Sequence, residues 1–239
     1  MLDMIAFDAD DTLWHNETLY ARAQERFKQL LIASQPEAAP QAAEQVGQKL
    51  YETEMRNLGR YGYGIKGFAL SMIETALELT GDSITGQDIR RILDIVQDML
   101  NADVELVEHA RPTLAALSAS YPLMLITKGD LFDQERKLAR SGLASYFQFI
   151  EIVSGKTREA YRSILTKYRI APPRFLMVGN SLKSDVLPVV ALGGRAVYIP
   201  YHLTWAHEAV VEGSSETGYV QLEHLGLLPA LVEEISQSA

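Results

Sequence analysis

The strongest constraint on this sequence is its first apolar run, which ends abruptly in a cluster of carboxylates. Residues 4–7 carry no charge, and Asp8, Asp10 and Asp11 follow directly. The isoleucine and phenylalanine of the run favour a buried, pleated strand. Carboxylates at the end of such a strand are costly to bury unless they meet a cation. Because open α/β sheets bind ligands beyond the carboxyl ends of parallel strands, the pattern predicts a Mg²⁺ site there.

A surface turn after a first strand is the alternative interpretation, since Asp is common in turns. The long apolar approach favours the metal site over the turn. Asp8 and Asp10 are two residues apart, so in an ideal strand they face the same way and can converge on one ion.

The bulk composition excludes several classes of protein. The chain has 239 residues, of which 47% are hydrophobic, so we expect one large domain or a domain with an insert. A net charge of −9 argues against binding to nucleic acid polymers or anionic membranes. The absence of cysteine excludes disulfides, thiolate catalysis and Cys-ligated zinc. No apolar run approaches the ~18 residues of a membrane helix, and the N-terminus lacks a signal peptide's pattern, so we expect a cytoplasmic protein.

Residues 15–102 have the periodicity of a helical bundle, with no strand among them. Helices are predicted over 17–32, 41–57, 67–79 and 85–100, with the first broken at 35–40 by two prolines. Residues 59–66, rich in Gly, Tyr, Arg and Lys, are predicted to form a loop. That loop is either an anion-binding segment or an ordinary helix connection.

After residue 102 the pattern changes to strands that alternate with helices. The strands are predicted over 121–126, 147–153, 174–178 and 195–199, and a closing helix or two over 219–235. Such alternation predicts βαβ units and a parallel sheet with right-handed crossovers. Since the first strand precedes residue 15, the helical bundle is an insertion into the α/β domain.

Each predicted strand delivers polar residues at its carboxyl end. In chain order these residues are Asp8 and Asp10, Thr127, Lys156, and Asn180 with Asp185. Because the carboxyl ends of parallel strands lie along one edge of the sheet, we expect these side chains to form one site.

The sequence Asp8-Ala9-Asp10-Asp11-Thr12-Leu13 resembles the DxDxT signature of the haloacid dehalogenase superfamily, most of whose members are Mg²⁺-dependent phosphatases. The later strand ends resemble the other three motifs of that superfamily: a Ser or Thr, a Lys, and an acidic loop after a glycine. The resemblance covers roughly residues 1–14 and 103–200.

This resemblance implies a Rossmann-like, three-layer core with a parallel sheet, formed by 1–14 and 103–239. Residues 15–102 would be an inserted α-helical cap domain, with hinges at 14–17 and 101–108. The implied activity is hydrolysis of a small soluble phosphomonoester through an aspartyl-phosphate intermediate, with Mg²⁺ as cofactor.

The resemblance also assigns the roles. Asp8 would be the nucleophile and Asp10 the general acid and base, while Lys156 balances charge. Thr127 would be catalytic and, together with Lys128 and Gly129, would bind the substrate phosphate. The metal would be held by Asp8, Asp10, Asn180 and Asp185.

Asn180 departs from the family pattern, and Asp11 occupies a position at which the family accepts many residue types. Asn180 stands where the family often has Asp, so the metal would meet one negative charge less, and either Asn180 or Asp185 could be the direct ligand. Asp11 is interpreted as a solvated turn residue.

The same residues also fit proteins of other functional classes. A phosphomutase acting on sugar phosphates needs the same aspartates, and a non-catalytic Mg²⁺-binding domain would keep the fold without activity. Asp10 argues against a haloacid dehalogenase, which lacks the second aspartate. The expected partner is a small phosphorylated metabolite, with neither nucleic acid nor membrane, and the expected state is a monomer or homodimer. His202, Trp205 and His207 could line the rim of the site.

Overall fold

The computed structural model describes residues 2–34, 42–203 and 218–237. The chain divides into two compact units, one formed by Met1–Glu17 with Val104–Ala239 and the other by Thr18–Asp103. We call them the sheet unit and the helical unit. The predicted helix break at 35–40 and the expected rim residues Trp205 and His207 lie outside the described residues.

The sheet unit is built on a six-stranded sheet in which every pair of neighbouring strands is parallel. The strands are β1 (Met4–Phe7), β2 (Leu123–Lys128), β3 (Phe149–Val153), β4 (Phe175–Gly179), β5 (Arg195–Tyr198) and β6 (Tyr219–Gln221). Their order is β3-β2-β1-β4-β5-β6. The strand predicted to end in the carboxylate cluster therefore lies between β2 and β4, which confirms the predicted α/β class.

Alternate residues of the central strands enter two separate hydrophobic cores. Ile5 and Phe7 of β1 belong to a cluster on one face, while Met4 and Ala6 belong to a cluster on the other. All four side chains are at most 4% exposed. A strand that is buried on both faces needs an unbroken apolar sequence, which is why residues 4–7 carry no polar side chain.

Among its described residues, the helical unit contains four α-helices. They are α1 (Glu17–Ser34), α2 (Ala42–Tyr61), α3 (Ile65–Thr80) and α4 (Gly86–Asn101). Phe27, Leu50, Met72 and Ile92, from the four helices in turn, are at most 1% exposed and share one hydrophobic cluster. The unit therefore has its own core, as each helix buries one apolar stripe.

The remaining helices of the sheet unit connect or flank the strands. They are α5 (Ala110–Ser118), α6 (Leu131–Ser141), α7 (Arg158–Tyr168), α8 (Leu187–Val190) and α9 (Leu228–Gln237), with 3₁₀ turns at Ala144–Tyr146, Pro172–Arg174 and Leu225–Leu227 and a π-helical turn at Leu182–Val186. Since α6 and α7 carry the chain from one parallel strand to the next, the carboxyl ends of the strands share one edge.

Two expectations about local structure are wrong. Residues 219–221 form β6, paired with β5, where a helix was predicted; this edge strand is too short for periodicity to reveal it. The predicted loop over 59–66 is mostly helical, because α2 continues to Tyr61 and α3 begins at Ile65. In the connection, Gly62 has φ +71° and Gly64 has φ +117°, values that favour glycine.

No helix within residues 2–34, 42–203 and 218–237 has the length and apolarity that crossing a membrane requires.

One carboxyl group of the helical unit makes its stability sensitive to pH. Glu54 of α2 is 9% exposed, and its Oε2 has no hydrogen-bond partner among the described residues. Burial raises the pKa of this carboxyl from 4.5 to about 7. The folded protein therefore keeps the proton over a pH range in which the unfolded chain releases it.

We predict that the free energy of unfolding falls as the pH rises from 4.5 through about 7. Glu54→Gln should remove this part of the pH dependence and be more stable than wild type above that range, by up to about 3 kcal/mol. Urea unfolding across the range measures both proteins. Glu52→Gln, at an exposed position of the same helix, is the control and should follow wild type. Parallel curves for wild type and Glu54→Gln would contradict the prediction.

Candidate active site

Asp8 is the first residue beyond β1 and begins the site. Its backbone N–H donates to the carbonyl of Val178 (2.9 Å), so the strand's hydrogen bonding continues up to the side chain that leaves the sheet. Asp8 as a whole residue is 6% exposed. One oxygen, Oδ1, accepts from the Lys156 ammonium, and the other accepts from the Thr12 hydroxyl (2.8 Å).

Lys156 joins two carboxylates that come from different strands. It lies in the segment between β3 and α7, and its Nζ contacts Asp8 Oδ1 and Asp185 Oδ1, the latter at 2.7 Å. The Lys156 and Asp185 side chains are each 1% exposed. Two carboxylates against one ammonium leave a net negative charge in a buried place.

Burial is the largest influence on the pKa values of these groups. It raises the pKa of Asp8 to about 7, against the lowering effect of Lys156, and Asp185 adds to the rise. For Lys156, burial alone would lower the pKa, but the fields of Asp185 and Asp8 outweigh it and raise the pKa above 10.5. Lys156 therefore stays charged. The positive charge near Asp8 is too small to offset the burial of its carboxylate and the field of Asp185.

Asp185 is positioned by the π-helical turn at 182–186, which is separated from the end of β4 by Asn180 and Ser181. Its Oδ2 accepts from the backbone N–H of Ser181 (3.0 Å), while the Ser181 hydroxyl accepts from the N–H of Ser184 (3.0 Å). A Cβ on Gly179 would lie 2.3 Å from Asp185 Oδ2, so only glycine fits at the end of β4. Both carboxylate oxygens of Asp185 are thus occupied, one by Lys156 and one by the backbone.

Asn180 lies beside the same group of oxygens. Its Oδ1 is 3.3 Å from the Thr12 hydroxyl, whose single proton is directed to Asp8 at the shorter distance. The carboxylate of Asp8 and the amide oxygen of Asn180 therefore both lie next to the Thr12 hydroxyl oxygen.

This set of donors fits Mg²⁺. The ion takes oxygen ligands, uses few carboxylates and keeps several waters. A carboxylate and an amide oxygen close together in a site with surplus negative charge meet those requirements. Among the described residues, no group of three or more His, Cys, Asp or Glu side chains is arranged to hold a metal, so an ion here would depend on Asn180, backbone carbonyl and water.

Asp10 has a different set of partners from Asp8. Its Oδ1 accepts from Trp14 Nε1 (2.7 Å), its Oδ2 accepts from Gln134 Nε2 (2.8 Å), and Lys137 Nζ lies 3.1 and 3.3 Å from the two oxygens. Burial would raise its pKa, but the positive charge of Lys137 and the hydrogen bonds from Gln134 and Trp14 lower it. Asp10 is therefore ionised at neutral pH in this arrangement.

Asp11 is not the solvated turn residue expected from the sequence. It is 9% exposed and has φ +64°, a left-handed conformation that Asp tolerates better than most residues. Its carboxylate accepts from the N–H groups of Asn16 (2.8 Å) and Glu17 (3.0 Å), and so caps the start of α1. Burial raises its pKa to about 6 despite these hydrogen bonds. This cap holds the loop that carries Asp10.

The residues expected to bind phosphate lie at the end of β2. Thr127 is 1% exposed, and Lys128 Nζ donates to the Ser184 hydroxyl (3.2 Å), so Lys128 reaches the turn that carries Asp185. Gly129 has φ +143°, and its N–H donates to the carbonyl of Val153 (3.3 Å). Its contribution is therefore the absence of a side chain rather than a free N–H.

The structure thus brings Asp8, Lys156, Asn180 and Asp185 together, as the strand ends predicted. Asp10 follows Asp8 by two residues and is held by a separate set of hydrogen bonds. Sequence reasoning missed three supporting residues: Thr12, Gln134 and Lys137. Gln134 and Lys137 are three residues apart on α6, the helix that follows the Thr127 strand, so their spacing shows a shared helix face but not the partner of that face.

The fold and this edge of the sheet define a Rossmann-like hydrolase. The family model of the haloacid dehalogenase-like hydrolases matches residues 2–193, and the chain belongs to that family. No curated protein matches the sequence.

Three solved structures illustrate the range of this family. A haloacid dehalogenase-like hydrolase from Xanthomonas campestris is 38% identical, with a TM-score of 0.85 over 99% of this chain and 93% of that chain. A 2-haloacid dehalogenase from Pseudomonas syringae is 21% identical (TM-score 0.65; 98% of this chain and 99% of that chain). The HAD-hydrolase YfnB from Bacillus subtilis, bound to magnesium, is 16% identical (TM-score 0.65; 97% and 98%). The last two show the shared fold alone.

We predict that Asn180→Asp binds Mg²⁺ more tightly than wild type, by roughly three- to tenfold, because it adds one negative charge to the set of oxygen donors. Isothermal titration calorimetry with MgCl₂ measures the affinity. Gln148→Glu adds the same charge at an exposed position before the amino end of β3, and it should bind Mg²⁺ as wild type does. Equal affinities for Asn180→Asp and wild type would show that residue 180 is not a ligand.

Proposed function

We propose that this hydrolase is a Mg²⁺-dependent phosphatase that acts on a small phosphomonoester through an aspartyl-phosphate at Asp8. The observation that carries the proposal is the buried contact of Lys156 with Asp8 and Asp185, with a second aspartate, Asp10, two residues from the first. Phosphoryl transfer needs a nucleophile, neutralisation of charge and a proton for the leaving oxygen. These residues supply each of them.

Asp8 is the nucleophile. Its attack on phosphorus forms the Asp8–phosphate bond as the bond from phosphorus to the leaving oxygen breaks, which divides hydrolysis into two easier steps. Lys156 lies against the attacking carboxylate and stabilises negative charge on it and on the transferring group. The Thr12 hydroxyl, 2.8 Å from Oδ2, fixes the rotation of the carboxylate.

Asp10 moves the proton. As the general acid it gives a proton to the leaving oxygen, and as the general base it takes one from the water that attacks the aspartyl-phosphate. Asp10 is ionised in the structure, but a phosphate dianion placed beside it raises the proton affinity of the carboxylate, because like charges disfavour the ionised form.

The metal site would be formed by Asp8, the backbone carbonyl of Asp10 and Asn180. When bound, Mg²⁺ supplies the positive charge that two carboxylates and a phosphate dianion require together. Asp185 has a different role in this proposal, because its side chain is more deeply buried than that of Asp8 and contacts the Lys156 ammonium. It orients Lys156 and is not a direct ligand.

Thr127 and Lys128 would bind the phosphate oxygens at the end of β2, and Gly129 leaves room for them. The helical unit, inserted between β1 and β2, would act as the cap that selects the leaving group and excludes water. We expect a small phosphorylated metabolite as substrate, such as a sugar phosphate, phosphoglycolate or a nucleoside monophosphate.

A haloacid dehalogenase is the main competing function in this family, since several structural neighbours carry that name. A halide leaves carbon without needing a proton, whereas an alkoxide leaving phosphorus needs one. Asp10, which receives hydrogen bonds on both oxygens, therefore favours the phosphatase. A phosphomutase would use the same residues and differ in excluding water from the second step.

We predict that wild type releases phosphate from at least one member of a panel of phosphomonoesters, and only with Mg²⁺ present. Asp8→Asn should lose at least about 1,000-fold in kcat, since removal of a nucleophile typically costs three or more orders of magnitude. Asp3→Asn, at a partly exposed position before β1, is the control and should keep wild-type activity.

The same assay includes 2-haloacids, with halide release as the readout, and isomeric sugar phosphates. Halide release without Mg²⁺ would contradict the proposed phosphatase and identify the protein as a dehalogenase. Isomerisation without phosphate release would identify it as a mutase, and failure of all substrates would support a non-catalytic domain.

A further inference from the structure

The carboxylate of Asp10 is held from two directions by side chains outside the four motifs. Trp14, four residues further along the chain, donates to Oδ1 (2.7 Å). Gln134 and Lys137 also contact this carboxylate, although α6, which carries them, is distant from Asp10 along the chain. Gln134 Nε2 lies 2.8 Å from Oδ2. Both oxygens therefore have fixed donors, and the plane of the carboxylate is defined.

Lys137 is itself fixed, so it can act as a rigid donor. Its side chain is 12% exposed, and its Nζ contacts Asn16 Oδ1 (2.8 Å) and Asp133 Oδ2 (3.4 Å) as well as Asp10. An ammonium has three protons, and three neighbouring side chains receive them. A surface lysine would lack this geometry and contribute little to order.

Gln134 is fixed in a similar way. It is 3% exposed, and its amide nitrogen also lies 3.3 Å from the carbonyl of Lys128. A Cβ on Gly129 would lie 3.0 Å from this nitrogen, so glycine at that position leaves the space for the amide. The turn after β2 is thus shaped to let Gln134 reach Asp10.

We propose that Lys137 and Gln134 are positioning residues, which hold the Asp10 carboxylate where it can transfer a proton to the leaving oxygen of the substrate. The inference rests on the proposed function and adds residues to it. In the step concerned, Asp8 forms a bond to phosphorus, the bond from phosphorus to the ester oxygen breaks, and the proton on Asp10 passes to that oxygen. A displaced carboxylate would slow this step for leaving groups that need the proton.

The test compares two leaving groups in Lys137→Met and Gln134→Met. The first substrate is p-nitrophenyl phosphate, whose phenolate departs without a proton, and the second is the alkyl phosphate that wild type hydrolyses best. Because kcat/KM reports the first transfer step, the alkyl ester should lose roughly 10- to 100-fold in each variant, and the aryl ester only a few-fold. Lys137→Arg, which keeps the charge and the donors, should restore most of the loss.

Arg136→Met is the matched control, because it removes a positive charge from the adjacent position of α6, where the guanidinium lies over the Phe132 ring (5.7 Å). It should keep the wild-type ratio of the two kcat/KM values. Thermal unfolding of every variant shows whether it is folded.

Equal losses for the two esters would indicate a merely structural role and would overturn the inference, as would an unchanged or increased ratio of alkyl to aryl activity. Crystal structures of wild type and Lys137→Met give a readout independent of turnover, and an unmoved Asp10 carboxylate would also overturn it. If wild type hydrolyses neither ester, the proposed function fails, and the crystal structures still decide whether Lys137 positions Asp10.

Discussion

The contact of one buried ammonium with two buried carboxylates is the interaction on which this site depends. Lys156 meets Asp8 and Asp185, which follow β1 and β4, while the lysine itself follows β3. Removal of Lys156 would leave two carboxylates without a positive partner where burial makes charges expensive. The parallel sheet makes the contact possible, because it places the carboxyl ends of β1, β3 and β4 along one edge.

The local backbone around this contact has been shaped to match it. The last residue of β4 is Gly179, because the Asp185 side chain packs against it and leaves no room for a Cβ. The π-helical turn at 182–186 brings Asp185 back to that position. Thr12 reaches back to Asp8 from the turn after the carboxylate cluster. The result is a site with a surplus of negative charge, which a divalent cation would offset.

The sequence predicted the parallel sheet and the residues at its edge because their physical causes are local. An apolar run that stops at charged residues, repeated at each strand, needs no knowledge of distant contacts. The failures were of another kind. The three residues of β6 carry too little pattern to be read, and they form a strand only because β5 offers an open edge. The extent of α2 was missed because Gly59 and Tyr61 continue the helix, whereas glycines usually mark a turn.

Asp11 and Lys137 show why charged residues were the hardest to assign. A solvated Asp and a buried helix cap have the same sequence, and only the fold of the loop brings the N–H groups of Asn16 and Glu17 to the carboxylate. Lys137 lies 127 positions from Asp10 along the chain. Pairing at such a distance depends on the docking of α6 against the sheet, which no local pattern contains.

Chemical trapping of the covalent intermediate tests the central claim, that Asp8 attacks phosphorus, most directly. Wild type is mixed with Mg²⁺ and its best phosphomonoester, quenched in acid during turnover and digested, and the peptides are mapped by mass spectrometry. The account predicts a phosphorylated peptide with the modification on Asp8, absent from Asp8→Asn. Turnover with Asp8 unmodified throughout, or with phosphate on another residue, would contradict it.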